Sequence, residues 1–209
     1  MGCDIHFYIE HYYKDKWHCV KEPSEFRPEW DKDPNIRWYI GRSYHLFGLL
    51  AGVRSNVLPT PIAPRGFPED ASVLVKREFK KWGSDAHTPS YILLTELLDF
   101  ENIIIDQPIY LSPPEYKNFL NNSNNLDINC LYERDEDNII SFQELEKISN
   151  LLAFTNDDTY LYKYAKIDNV KLPLISFINN NVIWKDVVPK MKKLNKDPSK
   201  VRCVFWFDN

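Results

Sequence analysis

Two Asp-x-His triplets, Asp4-Ile5-His6 and Asp85-Ala86-His87, are the residues of this chain best suited to chemistry. Carboxylate oxygens and neutral imidazole nitrogens are both ligands for Mg²⁺, Mn²⁺ or Zn²⁺. Asp4, His6, Asp85 and His87 together can hold one or two such ions, and a bound ion lowers the pKa of its water. Without a metal, His6 and His87 can act as acid and base beside Asp4, because an imidazole titrates at about pH 6.5. The plainer alternative is a solvated strand face at Asp4 and His6, a turn capped by Asp85, and a locally packed His87.

Around the triplets lie groups that suit an anion. Arg42, Arg54 and Arg65 flank a helical stretch and a proline-rich loop, and arginines near one cleft clamp phosphate or carboxylate. Thr88-Pro89-Ser90 reads as a helix start, whose free backbone N–H groups favour negative charge. Trp30, Trp38, Tyr39 and Tyr44 can stack on a base. The candidate substrate-binding set is therefore Arg42, Tyr44, Arg54, Arg65, Thr88 and Ser90. Surface ion pairs and core aromatics are the competing reading. The chain has no glycine-rich phosphate loop, no Gly-x-Ser-x-Gly elbow and no His-Glu-x-x-His. Cys3 is a poor nucleophile for His6, because strand alternation puts the two on opposite faces.

The elements that must position these residues follow from periodicity. Residues 1–10 alternate: Cys3, Ile5, Phe7 and Ile9 form an apolar row, and Asp4, His6, Tyr8 and Glu10 the other. A turn at 13–16 and a strand at 17–21 make a hairpin. Residues 23–36 hold Pro23, Pro28 and Pro34 and read as an irregular excursion. Ser43 caps a helix to about Val53, with Leu46, Phe47, Leu50 and Val53 as its stripe. Pro59, Pro61, Pro64 and Pro68 make 55–70 an ordered loop. Asp70 or Ser72 starts a second helix ending at Trp82 and Gly83, with Val75, Phe79 and Trp82 inward. A helix is expected to follow Thr88, a strand at 103–105, and a helix from Ser112 to about Leu120. Ser141 to Glu144 is a capping box ahead of another helix. Thr159 to Ile167 alternates as a strand, short helices are expected near 173–180 and 186–195, and 201–209 is strongly β-like.

This mixture without regular βα alternation implies an α+β fold. The expected architecture is one domain over 1–209, with a polar insertion or loop around 121–138. One mixed or mostly antiparallel sheet should contain both terminal strands as central neighbours, with helices packed on it. Arg202, Val204, Trp206 and Asp208 should then lie beside Asp4, His6 and Tyr8.

Composition narrows the function classes. The net charge is −4 with no basic tract, which argues against a long nucleic acid as partner. No apolar run approaches a membrane span, and the first residues lack the order of a signal peptide, so a cytoplasmic protein is expected. Cys3, Cys19, Cys130 and Cys203 form no Cys-x-x-Cys pair and read as buried free thiols. All five histidines and six of the eight arginines precede residue 90, which concentrates the chemistry in the N-terminal half.

Several motifs together resemble a family of uncharacterised bacteriophage and bacterial proteins. They are Met1-Gly2-Cys3-Asp4-Ile5-His6, Gly41-Arg42 with Tyr44 and Leu46-Phe47, Ala51 with Val53-Arg54, Pro64-Arg65-Gly66 with Pro68 and Asp70, Asp85 with His87, and the closing Val204-Phe205-Trp206-Phe207-Asp208-Asn209. The resemblance covers the first hundred residues and the last ten; 101–200 shows none. It implies a phage or bacterial origin and the cytoplasm of a bacterial host cell, and it implies no reaction. A small phage protein of this kind suits host defence evasion directed at a signalling nucleotide. The leading expectation is a phosphodiesterase-like hydrolase of a small nucleotide, with or without a divalent metal. The alternatives are a nucleotide-sequestering protein and a protein–protein inhibitor using aromatics near Trp30 and Trp38.

Overall fold

The computed structural model describes residues 2–22, 37–121, 128–151, 162–177 and 182–208. These fall into two compact units, one of 1–100 with 180–209 and one of 101–179. The expectation of one domain over 1–209 stands beside this division, in which the second unit interrupts the sequence of the first.

The first unit is built on a four-stranded antiparallel sheet of order β2-β1-β6-β3, with β1 Asp4–Tyr13, β2 Lys16–Val20, β3 His87–Leu93 and β6 Val201–Asp208. The terminal strands are central neighbours, as their alternation implies. Their register pairs Asp4 with Asp208, His6 with Trp206, Tyr8 with Val204 and Glu10 with Arg202. The turn between β1 and β2 is made by Lys14 and Asp15, both at positive φ (48° and 58°). That is the twist a two-residue hairpin needs, reached here without glycine.

Both faces of the central strands are covered. Every residue from Ile5 to Glu10 and from Val201 to Phe207 is buried. On the odd row, Phe7 stacks on Phe205, and Phe207 meets Phe47 edge-on from helix α1 Tyr44–Ala51. Ser43 caps α1 by accepting from Leu46 N, and Gly52 ends it at φ 68°. Gly48 lets the Ser55 carbonyl lie against the helix, where a Cβ would collide with it. On the even row, Tyr8, Val204 and Trp206 pack with Ala71 and Val75, and Phe67, Phe79, Trp82 and Tyr91 close over them. Val75, Phe79 and Trp82 belong to helix α2 Val73–Trp82, capped by Ser72 and ended at Gly83, so its inward stripe is the one its spacing predicts. The even face of the first strand is thus the floor of a second core, and not the solvated face of the plainer alternative.

The segment after Asp85 differs most from expectation. Thr88-Pro89 does not open a helix; it lies in β3, an edge strand with a register shift between His87 and Ser90. A proline is tolerated on an edge or at a bulge because no neighbour requires its N–H. Thr88 itself has φ 46°, rare for a β-branched residue. Ser90 and Ile92 alternate inward, so period two prevails until Leu94 starts helix α3 Leu94–Asp99. The anion-favouring helix N-terminus expected at Thr88-Pro89-Ser90 is therefore absent. After a π-helical turn at Ile183–Val187, helix α6 Val188–Leu194 leads into β6, with Pro189 in its first turn.

The second unit pairs β4 Ile104–Leu111 with β5 Ala165–Pro173, antiparallel, alongside helices α4 Pro113–Asn121 and α5 Phe142–Leu151. β4 runs well beyond the expected 103–105, carrying Pro108 at its bulge. β5 starts later than expected, and 159–161 lie outside the described residues. The capping box is formed: Ser141 N and Oγ donate to Glu144 Oε2 at 3.1 and 2.8 Å, and Glu144 N donates to Ser141 Oγ. No described helix is long and apolar enough to cross a membrane.

Candidate functional site

Asp4, His6 and Asp208 meet at the end of the sheet where β1 begins and β6 finishes. Asp208 Oδ1 accepts from Asp4 N at 2.9 Å, and Asp208 Oδ2 lies 3.1 Å from His6 Nε2. A carboxylate only accepts, so Nε2 carries the proton. The His6 ring is 2% exposed and sits 4.0 Å from the Trp82 ring centre and 5.5 Å from that of Trp206. Burial pushes its pKa below the ordinary imidazole value, against the opposing bond to Asp208. His6 is a neutral, enclosed histidine fixed by a carboxylate.

Asp4 points outward and is held by Arg42, whose Nε and Nη2 reach its two oxygens at 2.7 and 2.6 Å. That bidentate bond holds the Asp4 carboxyl below its usual range. A cleft of about 380 Å³ lies here, lined by Asp4, Ile5 and the run Arg37-Trp38-Tyr39-Ile40-Gly41-Arg42. Gly41 takes φ 73° in that run. Arg37 is close enough to lower the pKa of both Asp4 and His6 through its charge. Trp38 does not offer a stacking face. It is 3% exposed, its N donates to Phe7 O at 2.7 Å and its Nε1 to Val20 O at 3.0 Å. Trp30 lies outside the described residues, while Tyr44 is exposed at the start of α1.

The second triplet does not join the first. His87 is opposite Phe207 and stacks on it, with ring centres 5.9 Å apart. Its Nε2 lies 4.0 Å from Cys3 Sγ and its Nδ1 3.1 Å from Thr88 Oγ1. Cys3 and Phe207 belong to the odd row, His6 and Trp206 to the even row. The sheet therefore separates His6 from His87, and the two cannot act as acid and base on one atom. Asp85 is exposed at the end of a 3₁₀ turn, Gly83–Asp85. Among the described residues no three His, Cys, Asp or Glu side chains converge as a metal-binding group. Asp4, His6, Asp85 and His87 thus do not form one ligand set; Asp4 is engaged by Arg42 and His6 by Asp208.

The arginines separate as well. Arg54, at φ 64°, hydrogen-bonds Cys3, although burial still leaves the Cys3 thiol raised above its ordinary value. Arg65 is at the far end of β3: its guanidinium forms a two-point pair with Glu96, and its N donates to the buried Ser90 Oγ at 3.1 Å. Leu93, three residues before Glu96, pairs with Arg202, six residues along β6 from Asp208. At about 3.4 Å per residue that is roughly 20 Å from the Asp4 end. Arg42 and Arg54 remain near the cleft end and the Arg65 guanidinium does not; Ser90, opposite Phe205, is three residues along β6 from Asp208, and its Oγ is taken up by Arg65 N. Arg37 is not among the residues the sequence singles out; Asp208 is expected beside Asp4 and His6, though not as a member of the site. Asp208 is signalled by the antiparallel pairing of the termini, which sets it opposite Asp4. All four cysteines are free, with Cys3, Cys130 and Cys203 buried and Cys19 half-buried. Burial drives Cys19 and Cys203 up to about 12.

A pH prediction follows from His6. Its folded pKa is depressed, so the unfolded chain binds more protons and stability rises with pH through this range. The contribution is complete above about pH 6.5 and is lost as pH falls through the folded pKa. His11, lowered by burial and by the charge of His18, acts with the same sign. The urea midpoint should therefore drop between about pH 7 and about pH 5, before the carboxylates titrate. His6→Gln should flatten that drop, with His11→Gln removing a further share. An identical pH slope in wild type and both variants would refute the assignment.

No family model, curated protein or solved structure matches the chain.

Proposed function

We propose that the protein binds a small phosphorylated ligand of nucleotide size in the cleft bounded by Asp4 and the Arg37–Arg42 run, without transforming it. The supporting observation is the convergence of Arg37, Arg42 and Asp4 on one cleft of about 380 Å³, within the usual size range of small-molecule sites. The Arg42–Asp4 bridge is half-exposed at both partners, 52% and 50%. Such bridges contribute about 0–1 kcal/mol, so a phosphate with two oxygens for the guanidinium competes readily with Asp4. Asp4, once released, is placed to accept from a ribose hydroxyl or a base N–H. Binding is favoured over hydrolysis because the two imidazoles lie on opposite faces and His6 is enclosed.

Phosphodiesterase-like hydrolysis is the second reading, and His87 favours it. This half-buried imidazole has its Nδ1 beside Thr88 Oγ1, at the cleft end of the sheet. Under either reading the phage-type resemblance makes host defence signalling nucleotides the first ligands to screen. The deciding experiment incubates the protein with a panel of cyclic and linear nucleotides, then chromatographs the mixture before and after heat release. Intact nucleotide released by heat is the expected result. Altered products would replace sequestration with catalysis, and no retention of any nucleotide would overturn both.

A further inference from the structure

The hairpin carries two more imidazoles that the cleft does not use. His11 and His18 are direct cross-strand partners in the β1–β2 register, so both project from the same face of the hairpin. Their ring centres are 5.8 Å apart, tilted at 46°. Two imidazoles on one tetrahedral ion, each nitrogen about 2.0–2.1 Å from it, have ring centres roughly 5–5.5 Å apart. The observed separation is within about an ångström of that spacing.

His18 Nε2 lies 3.1 Å from the Tyr13 carbonyl oxygen. The carbonyl can only accept, so Nε2 holds the proton and the Nδ1 lone pair is left for a ligand. Metal-binding histidines usually donate their other ring N–H to a backbone carbonyl or carboxylate, which fixes tautomer and ring orientation. His18 is exposed and His11 half-buried, so an ion can reach both.

We infer that His11 and His18 form a two-imidazole site for a borderline transition-metal ion, of the Zn²⁺ or Cu²⁺ class, across the β1–β2 hairpin. Imidazole ligands select such ions over Mg²⁺ and Ca²⁺, which prefer oxygen. Among the described residues no third His, Cys, Asp or Glu completes a set, so water fills the remaining positions. β2 is an edge strand. An ion held by β1 and β2 together ties that edge to the sheet, and binding the folded state alone raises its stability by mass action. The site is independent of the ligand proposed for the cleft.

The test uses tag-free full-length protein, stripped with chelator and then titrated with ZnCl₂ and with CuCl₂. One saturable equivalent is expected, tighter for Cu²⁺ than Zn²⁺, with a rise in Tm and shifts of the His11 and His18 ring resonances. His11→Asn and His18→Asn should each weaken binding by at least ~10-fold, while His45→Asn leaves it unchanged. Because His18 is exposed, its variant should fold as wild type without metal, and the wild-type ring shifts need no variant at all. The inference is overturned by no saturable binding, by ring shifts elsewhere, or by binding that survives both substitutions.

Discussion

Deleting residues 204–209 is expected to abolish the folded state of the first unit. The deletion removes most of β6, which pairs with β1 on one side and β3 on the other. Val204, Phe205, Trp206 and Phe207 are all 0% exposed. Truncating one buried Phe or Trp to Ala costs about 3–5 kcal/mol, and a whole domain is stable by only about 5–15 kcal/mol. Losing three such rings and the strand's hydrogen bonds exceeds that margin. The truncated chain should be insoluble or lack a cooperative melt, and His6 loses its Asp208 partner as well. A soluble truncated protein melting near wild type would contradict the central position of β6.

Arg202→Met should destabilise the protein by about 3–5 kcal/mol, because it strands a buried carboxylate. Arg202 is 3% exposed and Glu10 0%. Arg202 Nε donates to Glu10 Oε2 at 2.9 Å and Nη1 to Asp70 Oδ1 at 2.9 Å, and the guanidinium lies 3.9 Å over the Trp17 ring. Glu10 Oε1 also accepts from Ser72 N at 2.7 Å, joining the N-cap of α2 to the sheet. The loss is mostly the penalty of an unpaired Glu10 and not the net worth of the pair. Glu10→Gln combined with Arg202→Met removes that charge and keeps an acceptor for Ser72 N. The double variant should recover most of the loss, read as urea midpoints at constant m-value. A single variant within about 1 kcal/mol of wild type would show that the pair is not buried as described.

The strands and the pairing of the termini were legible because alternation over eight to ten residues leaves one register that buries both apolar rows. The covering of the even row was not. Phe67, Val75, Phe79 and Trp82 come from a loop and helix some sixty residues away, and nothing in the period of 4–10 reveals that second layer. The role of Glu10 and Arg202 was hidden for the same reason, since a charge on a strand reads as solvated until its cover is known. Thr88-Pro89 misled because the same dipeptide serves a helix start and a bulged edge strand. That difference decided the site: the bulge between His87 and Ser90 places His87 with Phe207 and Cys3, away from His6. Cys3 and His6 fall on opposite rows, as alternation implies, and the imidazole beside Cys3 is that of His87 from another strand.

The cleft reading makes Arg42 and Arg65, similar in sequence, unequal in effect. Arg42 borders the cleft, while Arg65 is committed to Glu96 at the other end of the sheet. The measurement is calorimetric titration of the nucleotide retained in the panel into wild type, Arg42→Gln and Arg65→Gln, at one salt concentration. A charged hydrogen bond contributes about 1.5–3 kcal/mol, so Arg42→Gln should weaken binding by roughly 10- to 100-fold. Arg65→Gln should leave it within about twofold, since that change is under 0.5 kcal/mol. Equal losses in both variants, an unchanged Kd in Arg42→Gln, or no saturable heat with wild type would contradict the account.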